Sequence, residues 1–560
     1  MLNIRRRLAI VGCGSSGLIT LKTTLAELVD WDVVCFEKSG SVAGCWGKPY
    51  PGFISTSTKY TTQFACYPVF DTTADTGDRK SYEEFFREDE YGTYLESFAD
   101  HFELRQHIQF HCRVVEIHRA APSGWDLTVC SESAPSSERT TRVEHFDCVI
   151  LCTGLAAEPK RVESSVKSLS ISELNSPDGL DHVTDNRIVV IGGGESAVDY
   201  AYRLSRPALR NQVFMSLQSG IRVSPRYHPI LGVPSDFLRN RLMLSIHEDL
   251  RNWIGQRFVE LRILYQERFE WLFPPAKSNR STPLKPLGHD QVDNQIRERR
   301  KKWAYKLTKA AKDDLFNMFH NKSDTFLDAV AQGEITIVGP PIDSDFAECN
   351  GFDEEEASKV TTHAELLVPA VGFRSNLETV SKGAFKLSDF HLGCCHVTYP
   401  DLYLVGFARP IIGNIPSISE MQSQYVCGLI GKRIERRPNM RTEHELDMAN
   451  QRRRFSKLNL AAIYPVEMFP YCDRLSKAMG GYPSLRASRS LIAWVRMQLT
   501  PATTMHYGFN SRSSIEFESK SPIYMPWLLI GLLMMLKPID WLYRLLVVFN
   551  RPALEEAPRA

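Results

Sequence analysis

Six residues near the start of the chain, Gly12-Cys13-Gly14-Ser15-Ser16-Gly17, have the glycine spacing that lets backbone approach a pyrophosphate. Gly12 permits a tight turn, Gly14 admits phosphate against bare backbone, and Gly17 lets a helix lie close on a strand. The amides that open this helix, at Ser15 and Ser16, offer N–H groups and a partial positive charge to the anion. Glu37, 20 residues beyond Gly17, supplies a carboxylate for a ribose hydroxyl. The pattern returns as Gly192-Gly193-Gly194-Glu195-Ser196-Ala197, with alanine at the third small position. The strand expected after it ends at Gln218, with no acid. An acid there repels a 2′-phosphate, so its absence favours NADPH over NADH. Arg222 and Arg226 follow closely enough to pair with such a phosphate.

These residues need strand-to-helix corners to hold them. The apolar run Leu8-Ala9-Ile10-Val11 feeds the first glycine turn, and a helical stretch follows to about Val29. A second strand is expected over 32–36, just before Glu37. Arg187-Ile188-Val189-Val190-Ile191 feeds the second turn, with a strand expected over 212–217. Three later apolar runs, at 146–154, 364–373 and 402–406, end on or contain a glycine; they read as returns to the first sheet. Gly154 closes the first of them and is a candidate cofactor contact. The fold class expected is α/β, with two Rossmann-like dinucleotide-binding domains, one inserted in the other. Helical additions are expected in the insertion and at the C-terminus.

Composition narrows the function. Lys plus Arg number 67 against 66 Asp plus Glu, so no global field draws nucleic acid. The 13 cysteines are odd in number and contain no Cys-x-x-Cys, which fits single thiols in a reducing compartment. Cys394, Cys395 and His396 lack metal-ligand spacing, and no metal is expected. No Ser-His-Asp set is apparent.

With the two glycine turns in place, the chain resembles the flavin-containing monooxygenase family over most of its length. Val42-Ala43-Gly44-Cys45-Trp46-Gly47 is similar to the turn after the ribose acid, where Cys45 and Trp46 would line a flavin. Residues 54–68, with Lys59, Phe64 and Pro68, resemble the segment passing the flavin ring. The helix-then-strand pattern from Tyr94 to Val114 leads to the adenine side, with Val114 as a contact. Gly406-Phe407-Ala408-Arg409-Pro410, Gly413-Asn414-Ile415-Pro416 and Glu420-Met421-Gln422 are similar to the returning loop and helix beneath the flavin. Tyr471-Cys472-Asp473-Arg474-Leu475, with Gly480-Gly481 and Pro483, resembles a later helical motif. The first turn is thereby implied to hold FAD and the second NADPH. The resemblance also implies a C4a-hydroperoxyflavin that transfers one oxygen of O2 to a small organic substrate. Nitrogen or sulfur is the favoured acceptor, and a ketone carbonyl the alternative. Thr56 stands where many members carry Asn, and is the candidate polar contact at the reacting oxygen. The family's Phe-x-Gly-x-x-x-His-x-x-x-Tyr fingerprint is absent, since 158–181 contain no Phe, His, Tyr or Trp.

The resulting plan is an FAD domain over 1–158 and 360–440, and an NADPH domain over 159–359 with a helical insertion near 226–330. A helical region over 441–518 and a membrane-associating tail over 519–560 complete it. Within the insertion, the basic run 295–302 reads as a solvated helix face or a membrane or partner contact. In the tail, 523–536 are 14 uncharged residues, short of the ~20 a spanning helix needs. Pro538 then restarts a helix, with Lys537, Asp540 and Arg544 as a polar stripe and Trp541, Leu542, Leu545 and Leu546 on an apolar face. A dipping segment followed by an interfacial helix is expected; a packed core helix and a tilted span are the alternatives. The location implied is the cytoplasmic face of a membrane, the endoplasmic reticulum in a eukaryote, or else the cytoplasm. Rival readings are an NADPH–flavin reductase, a disulfide-type reductase, which wants a redox Cys pair, and a non-catalytic flavoprotein scaffold.

Overall fold

The computed structural model describes residues 5–47, 50–72, 82–133, 139–176, 179–180, 182–269, 291–311, 317–352, 358–488, 490–508 and 520–549. The run Leu8-Ala9-Ile10 has no water-exposed surface and forms the middle of the strand Arg6–Val11, as a strand covered on both faces must. It pairs in parallel with Trp31–Phe36 on one side and Cys148–Leu151 on the other. Ile108–Gln109 and Leu402–Leu404 extend the parallel sheet. Phe390–His391 and Cys395–His396 add an antiparallel edge, giving seven strands. The helix Ser15–Glu27 lies against this sheet and packs on the returning helix Ile415–Ile430. A three-stranded antiparallel meander, Cys112–Arg119, Trp125–Ser131 and Thr141–Phe146, leads into the strand Cys148–Leu151.

A second sheet has four parallel strands in the order Ile335–Val338, Gln212–Ser216, Arg187–Ile191 and Leu366–Pro369. It has its own core, in which Ile188, Val190, Met215 and Val368 pack with the helices Glu195–Leu204 and Phe326–Gln332. The run 364–373, expected in the first sheet, therefore belongs to the second. A continuous apolar run shows that a strand is buried on both faces but not which sheet buries it. The insertion carries the helices Glu248–Phe269 and Gln291–Lys309. The basic run on the latter is partly committed within the chain, Arg300 to Asp328 at 2.8 Å and Lys301 to Glu298 at 3.7 Å.

The C-terminus differs from expectation in one respect, the absence of a restart at Pro538. A single helix, Trp527–Phe549, runs through Pro538 without a break, and no helix among the described residues is long and apolar enough to cross a membrane. Its polar stripe also faces the protein. Asp540 accepts a hydrogen bond from the His247 amide at 2.6 Å, Arg544 donates to the Ser245 carbonyl at 3.0 Å, and Lys537 reaches the Ser245 hydroxyl. Amphipathic spacing identifies a helix's two faces and leaves open which of them meets the fold.

Candidate active site

The first glycine turn has the geometry its spacing demands. Gly12 has φ +94°, and a Cβ there would lie 2.9 Å from the Cys152 carbonyl oxygen. A Cβ on Gly17 would lie 1.9 Å from the Gly12 carbonyl oxygen, so only glycine lets the helix close on the turn. Gly14 is the N-cap of Ser15–Glu27 and supplies no capping side chain, which leaves the helix amides open to an anion. Gly44, with φ +57°, comes within ordinary contact of a Cβ placed on Gly14 at 3.5 Å, so two bare backbones face each other across the cradle. Gly154, with φ +80°, has open space where its Cβ would be. Glu37 is buried at the strand end, one carboxylate oxygen accepting from the Cys13 amide at 2.7 Å and the other from the Ser39 amide and hydroxyl at 2.9 Å. These residues fit the diphosphate and ribose of a dinucleotide.

The second turn repeats this arrangement. Gly192, with φ +120°, abuts the Ala370 carbonyl oxygen at 2.5 Å from its would-be Cβ, and Gly372, with φ +89°, is open as Gly154 is. Cys152-Thr153-Gly154 and Ala370-Val371-Gly372 are thus counterparts. Pairing with Arg187–Ile191, and not this shared ending, places 364–373 in the second sheet. Gly194 caps Glu195–Leu204 with nothing near its Cβ position, and Ala197 is fully buried against the turn. Ser196 follows Glu195 in the first turn of that helix. The strand Asn321–Lys322 lies over this corner, with the Asn321 side chain donating to the Gly193 carbonyl at 2.9 Å.

Several expected contacts fall differently. Arg226 is not free for a 2′-phosphate: it donates to the Ser55 and Ile54 carbonyls at 2.9 and 2.7 Å and pairs with Asp324 at 3.0 Å. Arg222 is buried, its Nε 3.0 Å from the Met318 sulfur. The Ser16 hydroxyl meets Ser419 at 2.8 Å and so faces the returning helix, while Ser15 is buried beside Tyr91. Glu420 and Gln422 spend their polar atoms on the chain. Glu420 accepts from the Ala65 and Cys66 amides at 2.9 and 3.2 Å and from the Thr504 hydroxyl at 2.8 Å, and burial raises its pKa. Gln422 accepts from the Gly406 amide at 2.9 Å and donates to the Tyr471 hydroxyl at 2.8 Å. Through these atoms both tie the returning helix to distant segments of the chain. Val114 is buried in the first core, in a strand next to that sheet. Cys45 is exposed, and Trp46 stacks edge-on to Tyr91 at 5.0 Å.

Thr56 is exposed on the strand Ile54–Thr58, which is gripped from the second-cradle side. Besides the Arg226 contacts, the Thr58 amide donates to Asp236 at 3.0 Å. A small cavity touches this strand at Ser57 and is lined also by Thr61, Asp236 and Asn414; it shares Arg239, Gly413, Met468 and Phe469 with an adjoining cavity. Asn414 lay in the motif read as the returning loop, whereas Asp236 and Arg239 carried no sequence signal as site residues, since Asp236 meets the Thr58 amide 178 residues away and the Arg239 carbonyl meets the Ala502 amide. Asn414 caps the returning helix and donates to the Thr61 carbonyl at 2.8 Å. Cys394 and Cys395 are fully buried, and His396 accepts from the Thr398 and Tyr399 amides through Nδ1 at 3.1 and 3.0 Å. Burial lowers the His396 pKa to about 4, which keeps that acceptor neutral.

Two dinucleotide cradles, each at a strand-to-helix corner of its own sheet, define a two-cofactor protein. The chain belongs to the flavin-binding monooxygenase-like family, whose profile matches residues 5–285. Over most of its length it is similar to a decarboxylating 4-hydroxybenzoate brominase of Marinomonas mediterranea, 24% identical over 511 residues, 86% of this chain and 85% of that one. Flavin-containing monooxygenase 1 of Homo sapiens is 28% identical over 285 residues, covering 45% of this chain and 48% of the human protein. In fold it is similar to the closed form of cyclohexanone monooxygenase, with a TM-score of 0.55 and 16% identity, covering 85% of this chain and 98% of that one. The S-allyl-L-cysteine S-oxygenase of Allium sativum gives a TM-score of 0.52 at 17% identity, covering 88% and 91%. The protein is a flavin-dependent monooxygenase of a family that uses FAD and NADPH.

Proposed function

We propose that the enzyme places one oxygen atom of O2 on a nitrogen or sulfur of a small organic substrate, the second atom leaving as water at the expense of NADPH. The observation that carries this reading is the strand Ile54–Thr58, held by Arg226 and Asp236 while Thr56 on it stays exposed. Bound FAD supplies hydride acceptance and oxygen activation. The chain seats FAD on Gly12, Gly14 and Glu37, and NADPH on Gly192, Gly194 and the amides after them. Arg226 and Asp236 fix the distance between the two seats. Thr56 offers a hydroxyl at the reacting oxygen, and Met468 and Phe469 line the adjoining cavities with apolar surface that excludes water.

The test is product analysis with 18O2 against amines, thioethers, ketones, and 4-hydroxybenzoate with bromide. An N- or S-oxide carrying one labelled atom is expected. A labelled ester or lactone from a ketone replaces the reading with Baeyer–Villiger chemistry, and a brominated phenol with halogenation. NADPH oxidation that yields only hydrogen peroxide makes the protein a flavin reductase. A flavin that NADPH never bleaches makes it a scaffold.

We also propose that the enzyme works on the cytoplasmic face of a membrane, which in a eukaryote would be the endoplasmic reticulum. The inverted C-terminal helix supports this: its charges face the protein while Trp527, Met535, Trp541 and Leu542 are exposed. That all 13 cysteines are free fits a reducing compartment.

A further inference from the structure

Glu195 is the first residue of the second-cradle helix, directly after its bare cap Gly194. A carboxylate at a helix N-terminus is stabilised by the same partial charge that a pyrophosphate needs. One site is thus asked to hold two anions. Both Glu195 oxygens accept from the Lys322 amide at 3.2 Å, and among the described residues no cation lies within salt-bridge distance of them. The cations that face the carboxylate are committed elsewhere. The Lys322 ammonium pairs with Asp236 at 3.5 Å, and Arg226 pairs with Asp324. Arg409, on the strand Ala408–Ile412, stacks on Phe319 at 4.1 Å. Asp199, one turn along the same helix, adds a like charge and bonds the Tyr50 hydroxyl. Withdrawal from water raises the Glu195 pKa to about 7, against the pull of Lys322 and Arg226.

We propose that Glu195 takes up a proton when the NADPH pyrophosphate seats on this helix, so that coenzyme affinity falls as the pH rises above neutrality. The inference rests on the second cradle holding NADPH. The sign follows from charge: an anion brought beside the carboxyl favours its neutral form, so binding draws one proton from solvent wherever the free group is ionised. Above the free-state pKa the dissociation constant then rises up to tenfold per pH unit. Below it, Glu195 is already neutral and the dependence flattens. Glu195 in this role is a positioning residue, acting on where the phosphates can sit and not on the reacting atoms.

The test is calorimetric titration of NADP+ into the FAD-loaded enzyme at pH 7.5 to 8.5, in two buffers of different ionisation enthalpy. The 2′-phosphate of the ligand itself titrates near about 6 and is settled in this range. Uptake approaching one proton is expected in the native enzyme. In Glu195→Gln, uptake should vanish and binding at pH 8.5 should tighten several-fold. Binding without proton uptake in the native enzyme overturns the role of Glu195 alone, whether or not the variant folds. Equal uptake in Glu195→Gln also overturns it. No binding at any pH removes the coenzyme assignment along with it.

Discussion

The glycines of the first cradle differ in what they forbid, and the difference separates binding from folding. Gly14 has room for a Cβ, with its nearest neighbour at 3.5 Å, so an added side chain is accommodated by the fold. Its environment excludes charge, since the diphosphate must pass there. Gly14→Asp is therefore expected to give folded, colourless protein: native far-ultraviolet dichroism with no flavin absorbance after reconstitution. Gly17 is the reverse case. A methyl group 1.9 Å from the Gly12 carbonyl oxygen forces helix and strand apart, and Gly17→Ala is expected to lose about 3 kcal/mol or more in denaturant unfolding. If Gly17→Ala is as stable as the native protein, the helix does not close on the turn as described. Residues of this kind were legible from sequence because their constraint is local: glycine spacing encodes backbone geometry within one corner. Glu420 and Gln422 were legible only as residues near a flavin. Their actual partners, at Ala65, Thr504, Gly406 and Tyr471, depend on how distant segments meet.

At the scale of elements, the enzyme must keep two separately built sheets in register so that nicotinamide and flavin meet. Arg226 does much of this by binding two consecutive carbonyls of the strand Ile54–Thr58 while anchored to Asp324. Arg226→Met leaves three acceptors without their charged donor, at a cost of about 2–4 kcal/mol in unfolding. It also loosens the distance between the cradles. Stopped-flow reduction of the flavin by NADPH is expected to slow at least about tenfold while NADP+ affinity changes little, because misplacement of reacting groups costs rate before binding. Equal losses in both would place Arg226 at the coenzyme instead, as its position after the second cradle had indicated. The same scale explains the misassigned strand. Leu366–Pro369 is as apolar as its counterpart Cys148–Leu151, and each ends at a carbonyl pressed on a cradle glycine. Strand identity was written in the sequence, but sheet membership follows from pairing, which hydrophobic pattern does not encode.

Among the described residues, the densest run of exposed apolar side chains lies on the C-terminal helix. Two cores close over the sheets, and the tail then presents apolar side chains outward: Trp527 is 70% exposed and Trp541 65%, whereas Asp540 is 4% exposed. Ile492 and Val495 on the neighbouring helix Leu491–Leu499 are exposed too, and the two helices share a buried cluster containing Leu499, Met525 and Ile530. Clustered exposed apolar side chains of this kind mark an interaction surface on a soluble protein. Two tryptophans on the exposed face, and exposed Arg452 and Arg453 with Arg453 close to Tyr543, match the chemistry of an anionic lipid surface. Deleting the tail is a poor probe, since Met525 and Ile530 belong to that buried cluster and their loss damages the fold. The paired substitution Met535→Glu with Leu542→Glu alters only the exposed face. Native enzyme is expected to sediment with phosphatidylserine-containing vesicles and to show a blue shift in tryptophan emission, and the double variant is expected to stay in solution with its flavin intact. Sedimentation that persists in the variant would assign membrane contact to another surface. A stable native dimer that ignores vesicles, and becomes monomeric in the variant, would show that a second copy of the chain covers the helix and that no membrane is involved.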